Sequence, residues 1–252
     1  MPSPFTSPIP AHRREHFATD GFLVLPDLVA PGTVEALRAD ADAVLVRRLS
    51  EMAVTRTLDP RVTWWRLPSG RPYVLKIKPV VDLAPTAAAV AYGEVLSTLA
   101  ADLLGARPRL MEDKFIYKQV VDVTGGWAEL PVLGEEVRKH TDAVYFHARG
   151  YQRVLTVAVC LDSCTEQAGA IRVWPRSHQR AVEMIATDCQ GPVVPDTRAP
   201  DAEAVTLVTE PGTVLLWDAA LVHGSGPNVS GNPRRLLVLG YAPTGPDSGE
   251  PQ

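Results

Sequence analysis

The sequence predicts a β core wrapped by helices, and three observations point there. Helical patterns fill the first 105 residues, short strand patterns divided by turns fill the rest, and strands do not alternate with helices along the chain. There is no internal repeat, no G-x-G-x-x-G and no Walker motif, so a dinucleotide-binding or P-loop architecture is excluded. Runs of helix followed by runs of strand suit a chain whose strands close into a sandwich or barrel.

The elements follow in order. Residues 1–10 hold four prolines and are expected to be a flexible leader. Ala11 to Phe17 suits a short helix, and Gly21 to Pro26 a short buried strand stopped by its proline. Pro31 to Arg48 is a second helix: Pro31 fits its first turn, and Val34, Leu37, Ala41, Val44, Leu45 and Leu49 recur at helical spacing. Residues 55–75 read as a variable loop. Thr86 to Leu104 reads as one Ala- and Leu-rich helix closed by Gly105. Strands are expected at Leu110–Val121, Arg153–Asp162, Ala170–Trp174, Val205–Val208, Thr213–Val222 and Arg235–Tyr241. Residues 122–139 form a long irregular stretch, and a loop of that length in a compact domain suits a lid. Residues 186–204 are a polar, Pro-rich excursion, and 244–252 a disordered tail. Residues 11–243 are thus expected to form a single domain.

Composition narrows the function. The chain has 252 residues, 46% hydrophobic and 21% charged, which is a globular balance able to bury a core. A net charge of −4 argues against a general nucleic-acid binder, whose mark is a strongly basic face. Three cysteines, Cys160, Cys164 and Cys189, do not make a disulfide framework and read as buried bystanders. No apolar run is read as long enough to span a membrane, and the N-terminal residues lack the apolar region of a secretion signal. The expected setting is cytoplasmic and reducing, with a small-molecule partner rather than nucleic acid or membrane.

Three motifs carry chemistry. His140 and Asp142 lie two apart, so in an extended strand their side chains share a face and can bind one ion. Taken alone, His-x-Asp also suits the end of a surface strand. His223 ends an apolar run just before Gly224-Ser225-Gly226, where a histidine can face inward as the chain turns away. Two imidazoles and one carboxylate are the facial triad of non-haem iron(II) oxygenases, which leaves open metal positions. Arg234 lies eleven residues after His223, close enough to line one pocket and clamp a carboxylate through paired hydrogen bonds. Neighbouring strand residues face opposite sides, so Arg234 and Arg235 cannot both do this. The plainer reading is a pair of exposed edge arginines.

Together these pieces resemble the phytanoyl-CoA dioxygenase (PhyH-like) family of iron(II)- and 2-oxoglutarate-dependent oxygenases. The resemblance rests on His140-Thr141-Asp142, on Glu166 to His178 (EQAGAIRVWPRSH), on Pro211-Gly212-Thr213, on His223-Gly224-Ser225-Gly226-Pro227-Asn228 with Arg234, and on the opening Phe17 to Leu25, in that family's order over residues 14–243. It implies a double-stranded β-helix, a cupin-like jelly roll. It implies His140, Asp142 and His223 as iron ligands. It implies Arg234, aided by Ser225, as the holder of the distal carboxylate of 2-oxoglutarate, with Lys76 also reaching that cosubstrate. Fe(II), 2-oxoglutarate and O2 are then the cofactors, with ascorbate as the reductant in vitro, and no general base is needed. The expected outcome is hydroxylation, or another oxidation, of a small molecule, with antibiotic or other natural-product biosynthesis the setting. The retained Asp142 favours oxygenation, since halogenating relatives replace that carboxylate with a small residue.

The chain departs from the family in places. Thr141 stands where glutamine is common, Arg176 where glycine is common, and Ala158 where tryptophan is frequent, which would widen a pocket. Lys114, Tyr117 and Gln119 are read as sharing one strand face that lines the pocket. Trp127 is placed on the expected lid, and His147 near the substrate. Trp64-Trp65-Arg66 is read as core anchoring or a pocket wall, and His178 as a structural residue closing the turn after Pro175. No basic cluster is apparent for the phosphates of a coenzyme A thioester. Two rivals use the same residues: a metal-dependent cupin-type isomerase or hydrolase, and a non-catalytic binding module. Arg234 with Ser225 speaks against both, since neither needs a 2-oxoglutarate clamp.

Overall fold

The computed structural model describes residues 9–66, 72–118, 136–187 and 191–244, apart from the side chains of 64–66 and 72–73. In chain order the elements are α1 (Ala11–Asp20), β1 (Phe22–Leu25), α2 (Pro31–Thr55), β2 (Val62–Arg66), β3 (Pro72–Ile77), α3 (Pro85–Ala91), α4 (Glu94–Leu104), β4 (Pro108–Lys118), β5 (Val137–His140), α5 (Ala143–His147), β6 (Leu155–Cys160), β7 (Ile171–Val173), β8 (Val205–Leu207), β9 (Val214–Asp218), β10 (His223–Ser225) and β11 (Arg234–Pro243). One sheet runs β1-β9-β6-β11-β4-β3-β2 and the other β5-β10-β7-β8, with antiparallel pairing throughout. The two face each other as the layers of a jelly roll.

The central strands of the larger sheet are covered on both sides, which is why they read as unbroken apolar runs. Alternate residues divide between two cores. Phe115, Tyr117, Val157, Val159, Leu216, Leu237 and Leu239 pack with α2, α3 and α4. Ala158, Cys160, Leu215, Trp217, Leu236 and Val238 turn inward and meet Ile171, Val173 and Leu207 of the smaller sheet. The strand period of two therefore assigns the inner positions of β4 and β11 as far as the bulge after Gly240.

Several elements differ from expectation for local reasons. α2 continues beyond Arg48 because Met52 prolongs its buried stripe, and it ends at Arg56 in a left-handed cap. The stretch expected as one helix over 86–104 is two, α3 and α4. Gly93 starts α4 in an extended conformation, and a Cβ there would lie 2.7 Å from the carbonyl oxygen of Ala89. Residues 85–104 taken together are long and apolar enough to cross a membrane, contrary to the sequence reading. The break leaves the longer piece at 11 residues, about 16 Å, against about 30 Å of hydrocarbon. Ala87, Ala91, Leu96, Leu99 and Leu104 pack into the protein core. The loop expected over 55–75 contains β2 and most of β3. The single strand expected over 213–222 is β9 followed by a turn: Asp218 accepts hydrogen bonds from Ala220 N–H at 2.8 Å and Leu221 N–H at 2.8 Å, and the chain crosses to the other sheet. Ile9, placed in a flexible leader, is buried in the core, and Thr244 is tied to Arg107 O. Cys160 and Cys164 are buried free thiols, while Cys189 lies outside the described residues.

Candidate metal centre

The site is built where the smaller sheet meets α5. β10 pairs with β5 so that His223 stands directly opposite His140, and the imidazole centroids are 4.3 Å apart. Asp142 is not on an extended strand with His140, as the i, i+2 argument supposed. It caps α5 with helical dihedrals, and the turn after β5 swings its carboxylate back toward both rings. Asp142 Oδ1 lies 3.7 Å from His140 Nε2, and Oδ2 lies 3.7 Å from His223 Nε2. One ligand atom from each of the three fits within 4.8 Å of the others. Thr141, between them, turns to Met184 at 3.4 Å.

Each ring is oriented from behind. His140 Nδ1 faces Arg138 O at 2.8 Å, and His223 Nδ1 faces Leu221 O at 3.0 Å. A carbonyl only accepts, so each Nδ1 carries a proton and each Nε2 is the ring nitrogen left to face the cluster. Thr156 of β6 donates to Asp142 Oδ2 at 3.0 Å. Burial drives the His140 pKa down to about 4, with His223 adding to the effect. Burial alone would raise Asp142, but His223, Lys114, His140 and the Thr156 hydroxyl hold it well below the usual carboxylate range. A neutral His140 beside an ionised Asp142 suits a divalent cation, which binds deprotonated ligands. Two nitrogens and one oxygen converging from one side suit iron(II) with positions left open.

A cavity of about 460 Å³ adjoins the cluster, a size suited to small molecules. Arg234, Ser225, Lys76 and Lys114 line it, with Ile116, Trp217, Leu236 and Val238 as apolar wall. Both arginines, which the plainer reading put at an exposed edge, are buried, Arg234 at 1% exposure and Arg235 at 7%. They point oppositely. Arg235 binds Asp162 through two nitrogens at 2.9 and 2.8 Å, and Asp42 at 2.7 Å. Arg234 Nη2 donates to Gly169 O at 2.7 Å, its buried Nε has no partner, and it joins no ion pair among the described residues.

Sequence reading missed the neighbour of Arg234. Lys118 is its cross-strand partner and is fully buried. Lys118 Nζ donates to Ser225 Oγ at 2.9 Å and to Gly226 O. Gly169, at φ +73°, permits this packing, since a Cβ there would lie 2.3 Å from Gly226 O. Like charges directly opposed across strands are destabilising unless an anion lies between them. The signal was present, because Lys118 shares the parity of Lys114 and Ile116.

Other expected residues fall elsewhere. Tyr117 is three positions from Lys114, an odd number, so it faces the helices and donates to Ala41 O at 3.0 Å; it does not line the cavity. Ala158 faces inward but is sealed beneath the cavity wall. His147 is exposed at the end of α5, 3.3 Å from Gln152 O. His178 lies against Gly21 and faces Ala18 O at 3.3 Å. Gln119, Trp127 and the expected lid up to residue 135 lie outside the described residues, as do the side chains of Trp64 and Trp65. Lys76 lines the cavity with no ion-pair partner among the described residues, and burial, then Lys114 and Lys78, lower its pKa to about 8.

Known proteins share this arrangement of sheets. The profile of the phytanoyl-CoA dioxygenase (PhyH) family matches residues 17–236. Ectoine dioxygenase of Sphingopyxis alaskensis is 23% identical over 256 residues, spanning 93% of this chain and 76% of the relative. The crystal structure of EctD from S. alaskensis with 2-oxoglutarate and 5-hydroxyectoine is similar at a TM-score of 0.73 and 25% identity, over 95% of this chain and 79% of that one. The epimerase SnoN from nogalamycin biosynthesis, in complex with Fe3+, alpha ketoglutarate and nogalamycin RO, is similar at a TM-score of 0.70 and 19% identity, over 90% and 81% of the two chains.

Proposed function

This chain belongs to the phytanoyl-CoA dioxygenase family, and from that premise we propose that His140, Asp142 and His223 hold its iron while Arg234, Ser225 and Lys118 hold its cosubstrate. It is an iron(II)- and 2-oxoglutarate-dependent dioxygenase. The observation that carries the ligand assignment is the convergence of three ligand atoms within 4.8 Å, with both Nδ1 atoms committed to carbonyls. When bound, iron(II) with 2-oxoglutarate supplies the oxidation of an organic substrate at the expense of O2, the diacid leaving as succinate and CO2.

The chain's own residues do the rest. Arg234 faces the cavity with a buried unpartnered nitrogen and takes the distal carboxylate. Lys118 occupies a lone pair of Ser225 Oγ, so the single Ser225 O–H is free to turn toward that carboxylate. Lys76 adds a cation on the adjacent rung, opposite Ile116. Ile116, Leu236, Val238 and Trp217 keep the space between apolar and exclude water. The reaction is a hydroxylation or related oxidation of a small molecule, and natural-product biosynthesis, the setting of SnoN, is the one we favour. Succinate formation from 2-oxoglutarate with iron(II) and ascorbate in air tests this, with His140→Ala and Arg234→Ala as controls. Turnover in the native chain and none in the variants is expected. Absence of both turnover and anaerobic 2-oxoglutarate binding would move the assignment to a metal-dependent cupin of another class.

A further inference from the structure

The cavity has a second cationic end that the cosubstrate does not use. Along β4 the inward residues run Lys118, Ile116, Lys114, Glu112, paired with Arg234, Leu236, Val238 and Gly240 of β11. Lys118 and Arg234 form one end. Four to six residues on, about 14–20 Å at 3.4 Å per residue, lies a second group around Glu112. Glu112 Oε1 pairs with Lys114 Nζ at 2.7 Å, and Oε2 with Arg149 Nη1 at 2.7 Å and Lys78 Nζ at 3.4 Å. All four line the same cavity. A five-carbon diacid gripped by Arg234 is too short to reach this second group.

Three cations share one carboxylate there. This surplus sits in a chain whose net charge is −4, so it is not a spill-over of general basicity. Crowding and burial of like charges is costly without a counter-ion. Lys114 and Glu112 are held at 9% side-chain exposure, whereas Lys78 and Arg149 reach 41% and 44%, so the outer two remain open to an incoming group. A second observation points to a ligand with acceptor atoms. Trp217 is on the rung of Glu112, through Gly240 and Thr156, and lines the cavity. It is 3% exposed, and its buried Nε1–H has no partner among the described residues.

We propose that the primary substrate is a small anion whose carboxylate or phosphate group docks at Lys78 and Arg149, with its apolar body lying over the Ile116–Val238 wall toward the metal cluster. The proposal rests on the oxygenase reading for the place of 2-oxoglutarate. The cations come from β4, the end of β3 and the turn after α5, and no contiguous run in the sequence announces them.

The test measures binding calorimetrically under nitrogen, with iron(II) and saturating 2-oxoglutarate. The probes are hexanoate, hexyl phosphate and the neutral hexanamide. The expected result is that at least one anionic probe binds about tenfold more tightly than hexanamide. In Lys78→Gln/Arg149→Gln that gap closes, while 2-oxoglutarate affinity stays within about twofold. Lys78→Arg/Arg149→Lys keeps the gap, which separates charge from loss of fold. Whichever of hexanoate and hexyl phosphate binds more tightly identifies the group. No preference for anions, or a preference that survives in the Gln variant, overturns the proposal while leaving the oxygenase reading intact. Failure of 2-oxoglutarate itself to bind overturns that reading and this proposal with it.

Discussion

The two faces of the β4–β11 strand pair treat charge in opposite ways. On the helix side every polar group named here is answered: Arg235 by Asp162 and Asp42, Asp113 by the N–H groups of Val80 and Val81, and the hydroxyls of Tyr117 and Tyr241 by carbonyls of Ala41 and Ala91. On the cavity side, among the described residues, Arg234 and Lys76 join no ion pair, and three cations divide Glu112. Burial alone therefore does not distinguish a structural charge from a functional one. Whether the charge is balanced within the chain does.

The largest effect expected concerns the cluster itself. His223→Ala should remove one of two nitrogen ligands and leave no stoichiometric iron after anaerobic reconstitution, with succinate formation lost. The fold should survive, since the variant leaves the cores intact. Retained iron would place the metal elsewhere.

The comparison of faces is broken or kept by the arginine pair. Arg235→Ala strips Asp162 of its paired guanidinium contacts and leaves it Arg38 at 3.2 Å and the backbone N–H of residue 235 at 2.8 Å, and a loss of about 3 kcal/mol in unfolding free energy is expected. Arg234→Leu removes a buried cation with no ion pair, so stability should hold or rise while 2-oxoglutarate binding is lost. Urea denaturation and calorimetry read the two effects separately. Equal destabilisation by both would end the distinction drawn between the faces.

A smaller effect is expected of Lys118→Met. It keeps the length of the side chain but frees the Ser225 lone pair and removes one cation, so the 2-oxoglutarate dissociation constant should rise about tenfold, or 1.4 kcal/mol. A role in folding alone would lower stability and leave that constant unchanged.

The legibility of this chain in its sequence follows the same division. Helical stripes, strand runs and the His-x-Asp and His-Gly-Ser motifs are local patterns, and the barrel and the clustered residues could be read from them. What escaped was non-local or hinged on one residue. Gly93 splits an otherwise continuous helical pattern. Asp218 ends one strand and starts the turn that delivers His223 to the other sheet. Lys78, Glu112, Lys114 and Arg149 come together only once three segments have folded. Tyr117 was misplaced because an odd spacing was counted as even, and parity on a strand admits no tolerance.

The most indirect test is the acid response of Glu112. Burial alone would raise its pKa, but the charge and hydrogen bond of Lys114, with Lys78 adding to them, hold it at about 2. A carboxyl lowered on folding contributes stability that is complete above its unfolded value, about 4.3, and is lost as pH falls toward 2. Glu112→Gln should flatten the stability profile across that window, by an amount on the order of 2 kcal/mol. It should also leave Lys78, Lys114 and Arg149 without their shared carboxylate. Anionic probes should then bind the variant more tightly than the native chain at neutral pH, because the incoming group no longer competes with Glu112 for the same cations. A variant that loses acid sensitivity but gains no affinity for anions would confine the cluster to a structural role and leave the anion-binding charge of the cavity at its Arg234 end.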